Sequence, residues 1–384
     1  MKKIPFLLVL IAMLAACKET PLKLADRVFS LAEKQFSHLD SQLAPGEFPR
    51  TSKQESELVK ADLGWWCSGF FPGSLWYVYE YTGNEAIKGM AEKYTWTLTG
   101  LKDRNTDHDI GFQINSSFGN AYRITGDESY LPMLDLAANR LAGRFNEAVG
   151  CTRSWGGAGN SEPVFRVIID NMMNLEVMMD VAARTGADSL AEVAIKHADT
   201  TMKNHFRDDF STWHLVIYDP ESGSILKKQT VQGFSDDSMW ARGQAWALYG
   251  YTMMYRKSGE QRYLAQAGKI ADIILSRLPE DGIPYWDYDC TDIPDTYRDA
   301  SAAAIMSSAF IQLYSITGDR KYLDIADRQL RALASPDYLY AEGEGAGFLL
   351  KHCVGNLPGH SEVDVPLSYA DYYFLEALQM YAGL

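Results

Sequence analysis

The feature that most constrains the fold is a short turn that recurs five times along the chain. In each copy a glycine follows an apolar stretch, which is typical of the position just after a helix C-terminus. In four copies the next residue is Asn, Asp or Glu, which suits the start of another helix. Each turn therefore predicts a hairpin of two helices. The turns are Thr82-Gly83-Asn84, Thr125-Gly126-Asp127, Thr185-Gly186-Ala187, Ser258-Gly259-Glu260 and Thr317-Gly318-Asp319.

The segments on the two sides of these turns differ in polarity. Those before the turns are rich in Ala, Met, Phe, Tyr and Leu with few charges, which predicts buried helices. Those after them are amphipathic, as in Gln261 to Leu278 and Arg320 to Leu333, which predicts outer helices. An outer-type helix at 22–38 and an inner-type helix at 367–382 complete the set. The other inner-type segments are 66–81, 113–124, 170–184, 241–257 and 300–316.

Six inner and six outer helices predict one all-α domain, an (α/α)6 barrel of six helical hairpins. A hairpin that cannot bury its apolar face alone packs on its neighbours. Because no terminal hairpin has the character of a capping repeat, closure into a ring is the simplest arrangement, and an open helical solenoid is the alternative. A length of 384 residues would suggest two or three domains, but the repeat predicts a single domain over 17–384.

The N-terminus has the features of a secretion signal. Two lysines precede an apolar run over 4–16, which is too short for a membrane span of ~20 residues. The run ends in Leu-Ala-Ala-Cys, which resembles a bacterial lipobox. We therefore predict that residues 1–16 are removed and that Cys17 is lipidated, with ordinary cleavage near Ala16 as the alternative. The protein would then be exported and held at a bacterial membrane, in the periplasm or at the cell surface, only through this lipid.

Charge and cysteine content exclude several classes of partner. A formal net charge of −14 without a basic cluster argues against nucleic acid, whose phosphates require a concentrated positive surface. The cysteines after Cys17 form no CxxC pair, so a metal site is not expected. The sequence implies no other cofactor. Export permits disulfides, but the spacing leaves open whether any form. These cysteines are Cys67, Cys151, Cys290 and Cys353.

The loops that enter the inner helices carry the unusual residues. If these helices run parallel, the loops meet at one end of the barrel and form a cup with aromatic walls and a few carboxylates. Such a cup is typical of a carbohydrate site. The loop 351–364, which is punctuated by Gly and Pro, adds Ser361 as a candidate contact to a second sugar. The other loop residues are Trp65-Trp66, His108-Asp109, Asp170-Asn171, Trp213-His214, Gln232, Trp240-Ala241-Arg242 and Arg298-Asp299.

Several of these segments resemble the unsaturated glucuronyl hydrolases, glycoside hydrolase family 88. The likeness covers nearly the whole chain after the leader, and the family fold is an (α/α)6 barrel. One departure is Cys67, where the family pattern leads us to expect a hydroxyl residue such as Thr. The matching blocks are His108-Asp109-Ile110-Gly111-Phe112, Ile169-Asp170-Asn171-Met172-Met173-Asn174-Leu175, and Gly233-Phe234-Ser235-Asp236-Asp237-Ser238-Met239-Trp240-Ala241-Arg242-Gly243-Gln244-Ala245-Trp246, with Asp364-Val365-Pro366 and Tyr369-Ala370-Asp371-Tyr372-Tyr373 near the C-terminus.

The resemblance implies a role for individual residues. Asp170 matches the general acid/base of the family and Asp109 its second essential aspartate. Trp66 matches an aromatic wall of the substrate site, and His108 adjoins Asp109 as it does in the family. The remaining matches are to substrate-binding residues, and they are His214, Gln232, Arg242 and Trp246.

The implied reaction is the hydration of a vinyl ether. Polysaccharide lyases leave a 4,5-unsaturated uronate at the non-reducing end, and the family releases it by protonating C4, adding water at C5 and opening the hemiketal. An ordinary Asp has a pKa of ~3.9, so burial against Trp66 and Trp246 and the nearby Asp109 would have to raise the pKa of Asp170. The predicted substrate is a lyase-generated oligosaccharide, in particular a glycosaminoglycan fragment.

Alternatives remain at the level of function and of single residues. The whole protein could be an unsaturated rhamnogalacturonyl hydrolase acting on pectin fragments, a non-catalytic glycan-binding lipoprotein or an inverting glycosidase. Asp170 could serve only as a helix N-cap, and Arg242 only in a buried ion pair between helices. Asp236 and Asp237 are interpreted as parts of a structural loop network, and Asp299 as a helix cap.

Overall fold

The computed structural model describes residues 19–53, 56–156 and 163–384, so the predicted leader and Cys17 lie outside the described residues. In the described part, the inner helices are α2 (Phe70–Thr82), a second helix in three consecutive pieces, α7 (Asn171–Thr185), α9 (Ala241–Ser258), α11 (Ala300–Thr317) and α13 (Ser368–Ala382). The three pieces are α4 (Ile110–Ile114), a π-helical segment (Asn115–Gly119) and α5 (Asn120–Thr125).

The outer helices alternate with the inner ones along the chain. Each inner helix packs against two inner neighbours, and α13 packs against α2, so the ring is closed. This arrangement confirms the six hairpins and the barrel, and it excludes the open solenoid. The outer helices are α1 (Pro21–Ser41), α3 (Glu85–Thr97), α6 (Leu131–Ala142), α8 (Asp188–Asn204), α10 (Gln261–Arg277) and α12 (Arg320–Leu333).

The five turn glycines have the backbone conformation that the sequence predicts. Each follows an inner helix with a φ between +69° and +74°, a region that residues with a Cβ rarely adopt. Each glycine N–H donates to a helix carbonyl four residues earlier, which satisfies part of the helix C-terminus. The side chains of Asn84, Asp127 and Asp319 then cap the helical segments that follow.

The first inner helix begins four residues later than predicted, at Phe70. The chain before it is held in turns because the Gln113 amide donates to the carbonyls of Leu63 and Trp65, both at 3.1 Å. The Ser68 hydroxyl adds a hydrogen bond to the same Leu63 carbonyl. Trp66 therefore lies in a loop at the helix entrance and not in the helix itself.

Short antiparallel sheets, which the sequence did not predict, lie in the loops that enter the inner helices. One of them, formed by β5 (Phe165–Ile168), β6 (Leu215–Tyr218) and β7 (Ile225–Gln229), positions residues of the site, because its register pairs Ile168 with Leu215 and so brings the residues next to that pair together. The strands are β1 (Phe48–Lys53), β2 (Glu57–Ala61), β3 (Phe145–Asn146), β4 (Cys151–Thr152), β5 (Phe165–Ile168), β6 (Leu215–Tyr218), β7 (Ile225–Gln229), β8 (Cys353–Asn356) and β9 (Ser361–Val365).

The interior of the barrel is apolar and well buried. Helix α11 is long and apolar enough to pass a composition test for a membrane span, but 78% of that stretch is buried inside the barrel. Its place in the inner ring explains this composition, because a helix covered on most faces has no need of a polar side. The thiols of Cys67, Cys151, Cys290 and Cys353 are buried and free.

Candidate active site

Asp109 and Asp170 occupy equivalent positions at one end of the barrel. Asp109 directly precedes α4 and Asp170 directly precedes α7, and neither side chain caps its helix. The N-cap alternative for Asp170 is therefore wrong. By contrast, Asp299 does cap α11, with Oδ1 accepting from the Ser301 N–H at 3.0 Å, as expected.

Asp170 is held in an environment that favours its protonated form. Its side chain is 15% exposed, and Oδ2 lies 3.8 Å from Nε2 of His214. This oxygen has no hydrogen-bond partner among the described residues. Burial raises the pKa of Asp170 to about 6, while the charge of Arg242 and the indole N–H of Trp246 act to lower it. The carboxyl can therefore hold or release a proton near neutral pH.

Asp109 forms the second carboxyl of the site. Burial raises its pKa well above the ordinary range, and the charges of Asp107 and Asp170 act in the same direction, opposed by Arg144. Nε2 of the buried His108 lies 3.4 Å from Oδ1 of Asp109. Burial lowers the pKa of His108 to about 4, so this ring is neutral at physiological pH. The pKa values of both carboxyls are therefore raised, which is typical of carboxyls at functional sites.

The tautomer of His214 follows from its hydrogen bonds. Nδ1 accepts from the backbone N–H groups of Val231 at 3.1 Å and Gln232 at 3.2 Å, so it carries no proton. Burial lowers the pKa of His214 to about 3, with Arg242 acting in the same direction. The ring is therefore neutral with its proton on Nε2, directed toward Asp170. It packs against Trp240 at 4.4 Å between ring centroids.

The loop that holds His214 is fixed by a network of its own. The Gly233 N–H donates to the Thr230 hydroxyl at 2.7 Å, and the Thr230 N–H donates to Asp236 at 3.0 Å. The buried Asp287 accepts from the Phe234 N–H and from the Ser238 hydroxyl. Asp236 is therefore part of a loop network, as interpreted from the sequence. No such hydrogen bond is found for the exposed Asp237 side chain in the described part of the chain.

Arg242 lies in the first turn of α9 and bonds to protein groups. Its guanidinium donates to the carbonyls of Val354 and Gly355 and to Oε1 of Gln232, and Nη1 lies 3.6 Å from Oδ2 of Asp299. Both members of this pair are buried, with 3% and 0% of the side chains exposed. The buried ion pair that the sequence left open is therefore present, and the same guanidinium orients Gln232. It also lies 4.6 Å from the ring centroid of Trp240.

Aromatic side chains close the floor of the cup. The half-buried Trp66 contacts Phe112 and Tyr369, with ring centroids 5.6 and 5.0 Å apart. Trp246 is fully buried and packs on Phe112 at 5.3 Å. Its indole N–H acts on Asp170, whose pKa it lowers, but has no acceptor at hydrogen-bond geometry within the described ranges. This N–H and the Nε2–H of His214 are therefore two donors beside the Asp170 carboxyl that form no close hydrogen bond to the described residues.

Ser361 lies at the rim, in β9. Its hydroxyl accepts from Nη2 of Arg50 at 3.4 Å, and Nε of Arg50 pairs with Glu362 at 2.6 Å. The Arg50 guanidinium also covers the ring of Trp65 at 3.9 Å. Of the other polar residues of this loop, Lys351 bonds to the Pro336 carbonyl and His352 to Asp364, so neither joins Ser361.

The sequence interpretation missed part of this site. The indoles of Trp155 and Trp240 lie on His214, and Tyr369 and Phe112 line the floor. Trp240, Phe112 and Tyr369 lie inside the matched blocks, but nothing in the sequence linked Trp155 to His214. A group within the described residues that could hold a cation is Asp107, His108 and Asp109, whose ligand atoms lie within 4.8 Å of one another. The three residues are consecutive in the chain and His108 already contacts Asp109, so their closeness does not by itself indicate a bound cation.

Comparisons with known proteins agree with this geometry. The sequence model of Glycosyl Hydrolase Family 88 matches residues 42–383. An unsaturated glucuronyl hydrolase of Formosa agariphila is 41% identical over 358 residues, which cover 90% of this chain and 89% of the relative. An unsaturated chondroitin disaccharide hydrolase of Streptococcus agalactiae serotype III is 34% identical over 339 residues, covering 86% of this chain and 85% of the relative.

A solved structure supports the same assignment. The crystal structure of an unsaturated glucuronyl hydrolase specific for heparin superposes with a TM-score of 0.90 and 41% identity, over 94% of this chain and 97% of the other. The sequence, the fold and the pair of carboxyls at the helix N-termini all indicate the same family. The chain belongs to glycoside hydrolase family 88.

Proposed function

We propose that this protein releases the 4,5-unsaturated uronic acid from the non-reducing end of lyase-generated oligosaccharides, in particular glycosaminoglycan fragments. The observation that carries the proposal is the buried carboxyl of Asp170, whose Oδ2 has no hydrogen-bond partner in the described part of the chain and whose pKa of about 6 lets it act as an acid near neutral pH. A vinyl ether needs one such positioned acid and a water molecule. No cofactor enters the reaction.

Asp170 would act first as the acid and then as the base of the reaction. The protonated carboxyl donates its proton to C4, and positive charge develops at C5 and the ring oxygen. Water then adds at C5, and the Asp170 carboxylate takes a proton from it. The hemiketal at C5 opens to a ketone, and the resulting hemiacetal at C1 collapses to an aldehyde and releases the neighbouring sugar as an alcohol.

Neighbouring groups would bind and orient the substrate around this acid. The Nε2–H of His214 and the indole N–H of Trp246 are available to donate to oxygens of the unsaturated uronate. Trp66 offers a ring face to the sugar, and Gln232 is held in place by Arg242. Asp109 would place a second carboxyl beside the acid, close enough that the charge of Asp170 raises the pKa of Asp109. Ser361 and Arg50 at the rim would contact the second sugar.

A panel of unsaturated disaccharides tests the proposed function. We expect the ultraviolet absorbance of the conjugated double bond to disappear with chondroitin or heparin disaccharides, with a kcat/KM at least about tenfold above that for rhamnogalacturonan. The relatives named for chondroitin and for heparin support these two as first substrates. Preference for the rhamnogalacturonan disaccharide would favour the pectin alternative. Absence of any absorbance loss would favour a glycan-binding protein, and activity on saturated sugars an inverting glycosidase.

We further propose that Cys17 carries a lipid that anchors the protein to a bacterial membrane. The support is the charged, apolar and Leu-Ala-Ala-Cys pattern of residues 1–17. In cells, the wild-type protein should sediment with membranes and be released by detergent. The Cys17→Ala variant should either keep its leader or appear in the aqueous fraction. Wild-type protein that is recovered fully without detergent, with an unmodified N-terminus, would contradict the anchor.

A further inference from the structure

A cavity lies at the end of the barrel opposite Asp170. Its volume is about 770 Å³, within the range of ligand pockets. Every inner helix contributes at least one residue of its C-terminal half to the wall, whereas the active-site carboxyls precede helix N-termini. One lining residue from each inner helix, in chain order, is Tyr77, Tyr122, Asp180, Arg256, Gln312 and Gln379. We call this space the rear cavity.

A layer of aromatic rings separates the rear cavity from the active site. Phe70 contacts Tyr372 of the cavity wall with ring centroids 5.3 Å apart. Tyr373 contacts Trp246 of the active site at 5.6 Å and Tyr249 of the cavity wall at 5.5 Å. The two spaces are therefore back to back along the barrel axis, and the rear cavity is a site of its own.

The floor of the rear cavity is polar and ordered by hydrogen bonds. Oε1 of Glu376 accepts from the hydroxyls of Tyr77 at 2.8 Å and Tyr249 at 3.1 Å, and Oε2 accepts from Ser308 at 2.5 Å. Nδ2 of Asn120 donates to the Tyr372 hydroxyl at 2.9 Å. Burying a carboxylate is costly unless it is hydrogen-bonded. A cavity without a function would therefore be expected to have an apolar lining, and this one does not.

The second inner helix departs from α-helical geometry where it faces this cavity. The π-helical segment Asn115–Gly119 contributes both of its end residues to the lining. Single π-helical turns inside α-helices are rare and occur frequently at functional sites. Nδ2 of Asn115 is directed to Oε2 of Glu176, at 3.3 Å. The π-helical segment and the cavity volume are independent observations, and both indicate a functional site at this end of the barrel.

The charges around the mouth are largely neutralised within the protein. Lys257 pairs with Glu176 at 3.2 Å and with Asp180, and Arg123 forms a bidentate pair with Glu80. Arg256 donates to Oε1 of Gln312 at 2.7 Å and has no carboxylate within 4.0 Å among the residues that the structure describes. A ligand would therefore meet tyrosine faces and many hydrogen-bond donors and acceptors, with little net charge.

We propose that the rear cavity binds an uncharged saccharide of one or two rings. The apolar face of a sugar ring suits the tyrosine rings, and its hydroxyls suit the mixed donors and acceptors of Asn115, Arg256, Gln312 and Glu376. The inference does not depend on the hydrolysis proposed for Asp170. It assigns a second carbohydrate site to a chain whose proposed catalytic site is at the other end of the barrel.

The test is a binding titration of the whole protein with N-acetylglucosamine and with cellobiose, using glucuronic acid as the charged comparison. Ala183, which is exposed and lines the mouth, is replaced by Trp to block entry. The matched control is Ala86→Trp, on the exposed face of the outer helix α3. We expect Ala183→Trp to weaken saccharide binding at least about tenfold, whereas Ala86→Trp and Asp170→Asn leave it unchanged. Arg256→Ala should weaken it as well, and glucuronic acid should bind less tightly than the uncharged sugars.

Two outcomes would overturn the rear site. One is the absence of saturable binding of either uncharged saccharide, and the other is binding that Ala183→Trp leaves intact. Loss of binding in Asp170→Asn would place the saccharide in the active site and would also contradict the proposal. Hydrolysis of unsaturated disaccharides is measured separately, and Ala183→Trp should keep the wild-type rate, so failure of the rear site and failure of the proposed function are distinguishable.

Discussion

Replacing Asp170 with Asn should remove turnover and leave the barrel folded. The amide cannot give a proton to C4 or take one from water, and positioned acid–base catalysis is worth about 10²–10⁴ in rate. We expect kcat on an unsaturated disaccharide to fall by at least about that factor. The wild-type rate should itself decline as the pH rises through about 6, because Asp170 then loses the proton that it must donate. The control is Asp237→Asn, which alters an exposed carboxylate of the neighbouring loop and should retain wild-type activity. An active Asp170→Asn protein would exclude Asp170 as the acid.

The same variant should be more stable than the wild type at alkaline pH. With a folded pKa of about 6 against an ordinary value of 3.8, native Asp170 binds more protons than the unfolded chain between these values. Stability is therefore lost as the pH rises through this window, and above it the ionised carboxyl costs about 3 kcal/mol. Denaturant unfolding should show Asp170→Asn to be more stable by up to about that amount near pH ~8, with little difference near pH ~4. Equal stability at both pH values would show that burial does not raise this pKa.

The sequence predicted the barrel because its signals are local. A glycine with positive φ after a buried helix is recognisable from a three-residue sequence pattern, and this pattern is present at all five turns. The same locality placed Asp109 and Asp170 at helix entrances. The strands around the site were not predictable in this way, because two- to six-residue strands pair only through the barrel that holds their loops. Hence the contact between His214 and Asp170, which depends on the pairing of β5 with β6, required the structure.

Arg242 shows the same limit for a single residue. Its position in the Trp-Ala-Arg-Gly-Gln-Ala-Trp block indicated a functional role, but the sequence could not tell whether Arg242 contacts the sugar or forms a buried ion pair. The structure shows bonds to β8 carbonyls, to Gln232 and to Asp299, which come from three distant parts of the chain. A residue at a helix start can thus support a site mainly by holding its other members. The rear cavity was likewise invisible in the sequence, since its lining comes from all six inner helices, which are far apart along the chain.

Replacing Arg242 with Met should therefore lower the free energy of unfolding by about 3–5 kcal/mol, since it leaves the fully buried Asp299 without its opposite charge. The lost donors to Val354, Gly355 and Gln232 add to this cost. Denaturant unfolding of the purified variant measures it. We also expect kcat/KM to fall, because Gln232 and β8 lose the group that fixes them.

The double variant Arg242→Met/Asp299→Asn separates the ion pair from the remaining contacts. Since the neutral amide no longer needs a buried counter-charge, the double variant should be less destabilised than the sum of the two single variants. Arg242→Lys keeps the charge but not the planar fork of donors, so it should retain more stability than Met and still disturb Gln232. If Arg242→Met raised KM and left the unfolding free energy unchanged, the guanidinium would act on the sugar alone. A loss of both stability and kcat/KM, with stability partly restored in the double variant, would instead show that Arg242 supports the site by holding Asp299, Gln232 and β8 together.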